Sequence, residues 1–148
     1  MSRKVFLAAD HAGFETKEFL GKKLSEEGYE VVDCGAFSYE PEDDYPDIIG
    51  RAAQALQKEP DAHAVILGAS GQGEAIEANR KKGVRAAVYY GGPLDIVTLS
   101  REHNDANALS LGARFLSKEE AWHAVRVWLE TQFSHAPRHA RRIAKLDE

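Results

Sequence analysis

The stretch from residue 64 to residue 90, AVILGASGQGEAIEANRKKGVRAAVYY, packs an apolar run, three glycines, a helix-forming segment and a β-branched, aromatic run into one unit. A chain with these in immediate succession has few ways to bury them. Ala64, Val65, Ile66 and Leu67 show no polar alternation, which suits a strand covered on both faces. Gly68, Gly71 and Gly73 interrupt it, residues 75–82 favour helix, Gly83 offers a left-handed stop, and residues 84–90 return as a strand. Strand, helix and parallel strand require a crossover connection, so the expected class is α/β.

The remaining chain repeats that alternation. Strands are expected at 4–9, 30–34 and 108–111, and helices at 14–27, 46–58 and 95–101. A further helix follows the capping-box pattern Ser117-Lys118-Glu119-Glu120, and a basic segment covers 137–145. Five strands separated by helices predict a mostly parallel sheet with helices on both faces. At 148 residues and 43% hydrophobic content the chain is expected to form a single domain over 1–148, with 135–148 as a C-terminal extension for phosphate binding or dimer contact.

Net charge of −5 argues against a general nucleic-acid or anionic-membrane binder. Cys34 has no second cysteine to pair with, the opening MSRKVFLAAD runs into a strand too short for a signal segment, and no apolar run reaches membrane length. A cytoplasmic setting is expected, with no nucleic-acid or membrane partner.

Three glycines after a strand let backbone N–H groups approach an anion at a helix start. Neither G-x-G-x-x-G nor G-K-[ST] is present, so the dinucleotide and P-loop cradles are set aside. Two readings are open for Glu74, which stands where the loop enters the helix: a base that takes a proton while the loop holds the resulting negative charge, or a carboxylate that complements the helix dipole. Ser70 is likewise either an oxyanion donor or a turn hydroxyl. Ligands of such sheets sit beyond the carboxyl ends of the strands, where Asp10-His11 and residues 70–74 are expected to meet. His103-Asn104 enters a strand instead, and belongs to the opposite edge of its own sheet.

Asp10-His11-Ala12-Gly13-Phe14-Glu15, Asp44-Tyr45-Pro46-Asp47, the 68–74 loop, Ala78-Asn79, His103-Asn104-Asp105-Ala106-Asn107 and Arg138-His139 through Arg142 together resemble the type B ribose-5-phosphate isomerases and the related galactose-6-phosphate isomerase subunits. The resemblance spans essentially the whole chain. It implies a Rossmann-like three-layer α/β/α sandwich and metal-independent aldose–ketose isomerisation of a sugar phosphate, with no cofactor. Many members carry a cysteine base where this chain has Gly68; the subgroup this chain is similar to uses a glutamate matching Glu74. Ala69 stands where that subgroup usually has glycine.

Such a reaction moves a proton between adjacent carbons through an enediolate, which needs a base and donors for an anionic oxygen. The expected catalytic set is Glu74, Ser70 and His103, the histidine for opening the sugar ring. Asp10, His11, Tyr45, Gly68, Ala69, Gly71, Gly73 and Asn104 are expected to contact substrate. Arg138 and Arg142, spaced i, i+4, can grip phosphate from one helical face, or be a solvated surface. His135 and His139 share that spacing without a third ligand, so no metal site is expected. The preferred substrate pair is ribose 5-phosphate and ribulose 5-phosphate. Another four- to six-carbon sugar phosphate, or a noncatalytic phosphosugar sensor, stands as the alternative. Because His103-Asn104 and Glu74 are expected at opposite edges, a homodimer or dimer of dimers with shared sites is expected, with Ile143 and Leu146 as contacts.

Overall fold

The computed structural model describes residues 3–148; Met1 and Ser2, the start of the opening run read above, lie outside the described residues. The strands are β1 (Lys4–Ala9), β2 (Glu30–Asp33), β3 (His63–Gly68), β4 (Ala86–Tyr89) and β5 (Ala108–Gly112), in the order β2-β1-β3-β5-β4. All four pairings are parallel, with Leu7 opposite Val65 and Leu67 opposite Leu111.

The helices are α1 (Phe14–Glu26), α2 (Tyr45–Lys58), α3 (Gln72–Asn79), α4 (Asp95–Glu102), α5 (Lys118–Glu130) and α6 (Pro137–Ala144). The strand pleat sorts the core into two layers. Val5, Leu7, Ala9, Val65, Leu67, Leu109 and Leu111 face Leu20 and Leu24 of α1, Val97 of α4, and Val125 and Trp128 of α5. Phe6, Ala8, Ala64, Ile66 and Ala108 face Ile48, Ile49, Ala52, Ala53 and Leu56 of α2, with Ala78 of α3. The three-layer expectation therefore stands. No described helix is long and apolar enough to cross a membrane.

Within the 64–90 unit, element boundaries differ from the sequence reading. α3 begins at Gln72 rather than residue 75, because Gly71 takes a left-handed φ of 82° and ends the turn there. It also stops at Asn79, so Gly83 (φ 85°) serves a later turn, not the helix end. β4 starts at Ala86 rather than Val84, since the Asn79 side chain both accepts from the Ala86 N–H at 2.8 Å and donates to its carbonyl at 3.1 Å. The capping box at Ser117 forms as expected, with Ser117 and Glu120 exchanging bonds of 2.8 and 3.0 Å.

Chain order positions the site. From β1 the chain moves outward to β2, then returns past β1 to β3, so connections leave in opposite directions from β1 and β3 and open a crevice at their carboxyl ends.

Candidate active site

Ala9 pairs with Leu67, so Asp10 and Gly68 leave neighbouring strand ends into that crevice. Asp10 is 8% exposed, and its Oδ1 accepts the Ala12 N–H at 2.9 Å, closing the turn that starts α1. Across from it, the chain turns through Ala69 and the half-buried Ser70, whose Oγ accepts the Gln72 N–H at 3.4 Å. Gly71 is needed for more than its φ: the buried Ser110 hydroxyl donates to its carbonyl at 2.6 Å, and an added Cβ would lie 3.1 Å from the Leu111 carbonyl carbon.

With α3 starting at Gln72, Glu74 falls in its first turn and is only 4% exposed. Its carboxyl lies directly over Gly68, where a Cβ would overlap Cδ and both oxygens. Burial raises the Glu74 pKa above the ordinary carboxylate value, and the adjacent Asp10 carboxyl raises it further, while its own backbone N–H opposes both. Tyr45 is 36% exposed and lies across Gly73, where a Cβ would come within 2.6 Å of Cζ. Its ring therefore lies against the first turn of α3 and stays open to solvent.

His11 is held by Asp43, whose Oδ1 accepts from Nδ1 at 2.9 Å and from the His11 backbone N–H at 3.3 Å. This carboxylate is the main reason the His11 pKa is raised; Asp10 adds to it, and burial and the nearby Arg114 guanidinium work against it. Asp43 Oδ2 is sealed from solvent with no hydrogen-bond partner among the described residues. The ligand atoms of Asp10, His11 and Asp43 lie within 4.8 Å of one another, but Nδ1 and one Asp43 oxygen are committed to each other.

Asp43 and Arg114 are rim residues that the sequence reading missed. Asp43 was hidden in an acidic run with no periodicity. Arg114 sits in the short turn after β5, and its backbone N–H donates to Ala69 at 3.1 Å. The rule that polar residues just beyond strand ends line the crevice would have singled it out.

The other expected residues are elsewhere. Asn107 and Ala108 meet the chain at Arg85 and Ala64, near the amino ends of β4 and β3, which places the connector carrying His103 and Asn104 at the opposite edge of the sheet. A strand the length of β3 separates these edges by roughly 16 Å. His103 stacks on His139, ring centroids 4.2 Å apart and planes at 20°. His139 is 7% exposed, and burial, then His103, Arg138 and Arg142, lower its pKa. Arg138 and Arg142 lie exposed on α6 beside that pair, and Asn104 is exposed in the connector. One chain thus carries two separate groups: Asp10, His11, Tyr45, Gly68, Ala69, Ser70, Gly71, Gly73 and Glu74 at one edge, and His103, Asn104, Arg138 and Arg142 at the other.

The ribose/galactose isomerase family model matches residues 5–146. The chain belongs to that family. It is 41% identical over 145 residues to ribose-5-phosphate isomerase B of Mycolicibacterium paratuberculosis, covering 98% of this chain and 90% of the relative. It is similar to the crystal structure of ribose-5-phosphate isomerase B from Mycoplasma genitalium with bound ribulose 5-phosphate, with a TM-score of 0.92, 33% identity, and coverage of 97% and 93% of the two chains. The structure of ribose 5-phosphate isomerase from Thermotoga maritima gives a TM-score of 0.90 at 39% identity, with 97% of each chain covered.

The closeness of Glu74 to Gly68 bears on the expected alternatives of a cysteine at position 68 or a glutamate at position 74. Any side chain at position 68 begins where the Glu74 carboxyl now lies. A cysteine base there and this placement of the glutamate exclude one another.

Proposed function

We propose that this isomerase-family chain interconverts ribose 5-phosphate and ribulose 5-phosphate, with Glu74 carrying a proton between C2 and C1. The observation that carries this reading is a buried carboxyl in the first turn of α3, over Gly68 and beside the glycine-rich loop. Its raised pKa makes it a stronger base than a free carboxylate once ionised, and little solvent competes for it. Glu74 takes the C2 proton of the open-chain aldose, leaving an enediolate whose oxygens accept from loop N–H groups and Ser70. Return of the proton to C1, with the hydroxyl proton passing from O2 to O1, yields the ketose. Oxyanion donors of this kind contribute most where water is excluded.

His11, favoured as a cation by Asp43, and Arg114 supply positive charge at the same rim for the phosphate or sugar oxygens. Arg138 and Arg142 complete the phosphate grip and His103 opens the ring, each reaching the rim from a neighbouring copy in a homodimer. The opposite-edge placement of the two groups supports sharing. Exposed Leu146 and half-buried Ile143 offer apolar contact for the partner. A cytoplasmic setting fits the single, unpairable Cys34.

The purified protein, assayed with EDTA against four- to six-carbon aldose phosphates, should prefer ribose 5-phosphate, and Glu74→Gln should lower turnover at least ~10²-fold with little change in binding. Normal turnover by a folded Glu74→Gln protein removes the base assignment. Sharing is tested by reassembling Glu74→Gln and His103→Ala chains at equal ratio. Half the dimers are mixed and one of their two sites is intact, so random assembly restores about a quarter of parental activity. Demonstrated mixing without recovery rules out the shared site.

A further inference from the structure

At the amino edge of the sheet lies a cavity of about 250 Å³ that none of the roles above uses, lined by His63, Arg85, Arg101, Gln132, Phe133 and His135 among others. Its inner wall is built on the core. His63 opens β3, is 7% exposed, and meets the Trp128 ring edge-on with centroids 5.3 Å apart; Arg101 is 4% exposed and lies 6.0 Å from the same ring. Trp128 is fully buried in α5, so both groups rest on the packed core.

These two side chains are not used up by the protein. Arg101 donates from Nε to the Thr131 carbonyl at 3.0 Å, and from Nη1 to the Ala106 carbonyl at 2.7 Å and Asp105 Oδ1 at 2.9 Å. Its Nη2 has no partner among the described residues, and neither ring nitrogen of His63 has one. The solvent-sealed orphan side-chain atoms among the described residues are Asp43 Oδ2 and Trp128 Nε1, so the free nitrogens of His63 and Arg101 do reach solvent space. For residues this buried, the cavity they line is where that happens.

The chemistry on offer is mainly donation. Burial, followed by the Arg101 charge, lowers the His63 pKa to about 4, so at neutral pH its ring is uncharged with one N–H to give. Gln132 and His135 add donors at the mouth. Asp105 is already matched to Arg101 at 2.9 Å and more loosely to Arg85 at 3.5 Å, leaving exposed Asp61 as the other acid at the wall. A bound cation would face two guanidinium groups with little to accept it, whereas an oxyanion meets charge and N–H groups together.

We propose that this cavity is a second ligand site, distinct from the Glu74 rim, that takes a small oxyanion on Arg101, His63, Gln132 and His135. The bound oxygens accept from the unengaged Arg101 nitrogen and the His63 ring, with Phe133 covering one side. Carboxylate and phosphate ligands share this chemistry, and the test separates them.

The full chain, labelled in its histidine rings, is titrated by NMR with inorganic phosphate and separately with malonate, each against sodium chloride of matched ionic strength. Saturable movement of the His63 and His135 signals by phosphate alone assigns a phosphate ligand, by malonate alone a carboxylate, and by both a general oxyanion site. His135→Asp provides the site variant: the position is exposed with φ 60°, a conformation aspartate tolerates, and the new charge opposes an anion. It should weaken the His63 response by roughly tenfold or more while the His11 response at the rim is unchanged. A His63 signal unmoved by both probes, or a response identical in His135→Asp, overturns the proposal.

Discussion

Adding one methyl group at Gly68 tests the arrangement of the proposed base with the smallest possible change. A Cβ built there falls within Cδ and both oxygens of Glu74, far inside ordinary contact. Gly68 ends β3 in register with Gly112, so its backbone has little room to retreat. The carboxyl is the far end of a flexible side chain, and it is the group that must move. Overpacking a site of this kind costs about 1–3 kcal/mol when the neighbours resist, and less when a side chain swings aside. Moving the base by about 1 Å from its productive position costs on the order of 10²-fold in rate. Gly68→Ala should therefore leave a folded protein whose turnover of ribose 5-phosphate falls at least ~10²-fold, with KM changed far less because the proposed phosphate contacts lie elsewhere. The assay is steady-state formation of ribulose 5-phosphate beside a thermal melt. Pairing the change with Glu74→Ala should recover any stability lost by Gly68→Ala without recovering activity. Gly68→Cys with Glu74→Ala should regain part of it through the thiolate, whereas Gly68→Cys with Glu74 intact should not. Near-parental turnover by Gly68→Ala would refute the claim that the carboxyl must occupy that space.

Glu74 has a raised pKa in the folded state, so folding binds its proton more tightly than the unfolded chain does, and ionising it costs stability as pH rises from the unfolded value through the folded one. Glu74→Gln should raise Tm at pH 7 and lose that advantage below pH 4, and an unchanged or lower Tm at pH 7 contradicts it. For His11 the shift is also upward but the charged form is the favoured one, so Asp43→Asn should weaken substrate binding mainly above pH 6.5, read as KM against pH; a KM ratio that is flat across pH 5.5–8 removes Asp43 from that role. If Arg138 and Arg142 grip phosphate as proposed, replacing either with Ala forgoes a charge-assisted contact of roughly 1.5–3 kcal/mol and should weaken phosphosugar binding about 10–100-fold, with the unphosphorylated sugar as control. Parental affinity in both variants makes α6 a surface or assembly element only.

Local chemistry carried the architecture and stopped at contacts between distant segments. The unpatterned apolar run at 64–67, the capping box at Ser117 and the apolar face of α2 are each complete within a dozen residues, and each forms. The start of α3 was misplaced because Gly71 and Gly73 read as loop. In the structure the first is a left-handed cap and the second a helical residue that makes room for Tyr45, 28 positions earlier in the chain. Periodicity also says nothing of strand order, so the insertion of β5 between β3 and β4 was not legible. The site followed the same division. Glu74 and the glycines announced themselves within seven residues, whereas Asp43 matters only through a hydrogen bond spanning 32 positions, and Arg114 only through the crossing of β5 beside β3.

The same geometry explains how a carboxyl so poorly placed for stability is held at all. A buried carboxyl with a second one beside it is costly unless something fixes it, and Glu74 accepts no bond from an arginine or lysine among the described residues. What fixes it is shape: the space above Gly68 and the first turn of α3, whose N–H groups favour negative charge at that end. A partner cation would hold the carboxylate more firmly and lower its pKa, and in doing so weaken it as a base. Positive charge is instead kept on His11 and Arg114 at the same rim, where, in the proposed reaction, it meets a phosphate without pairing with Glu74.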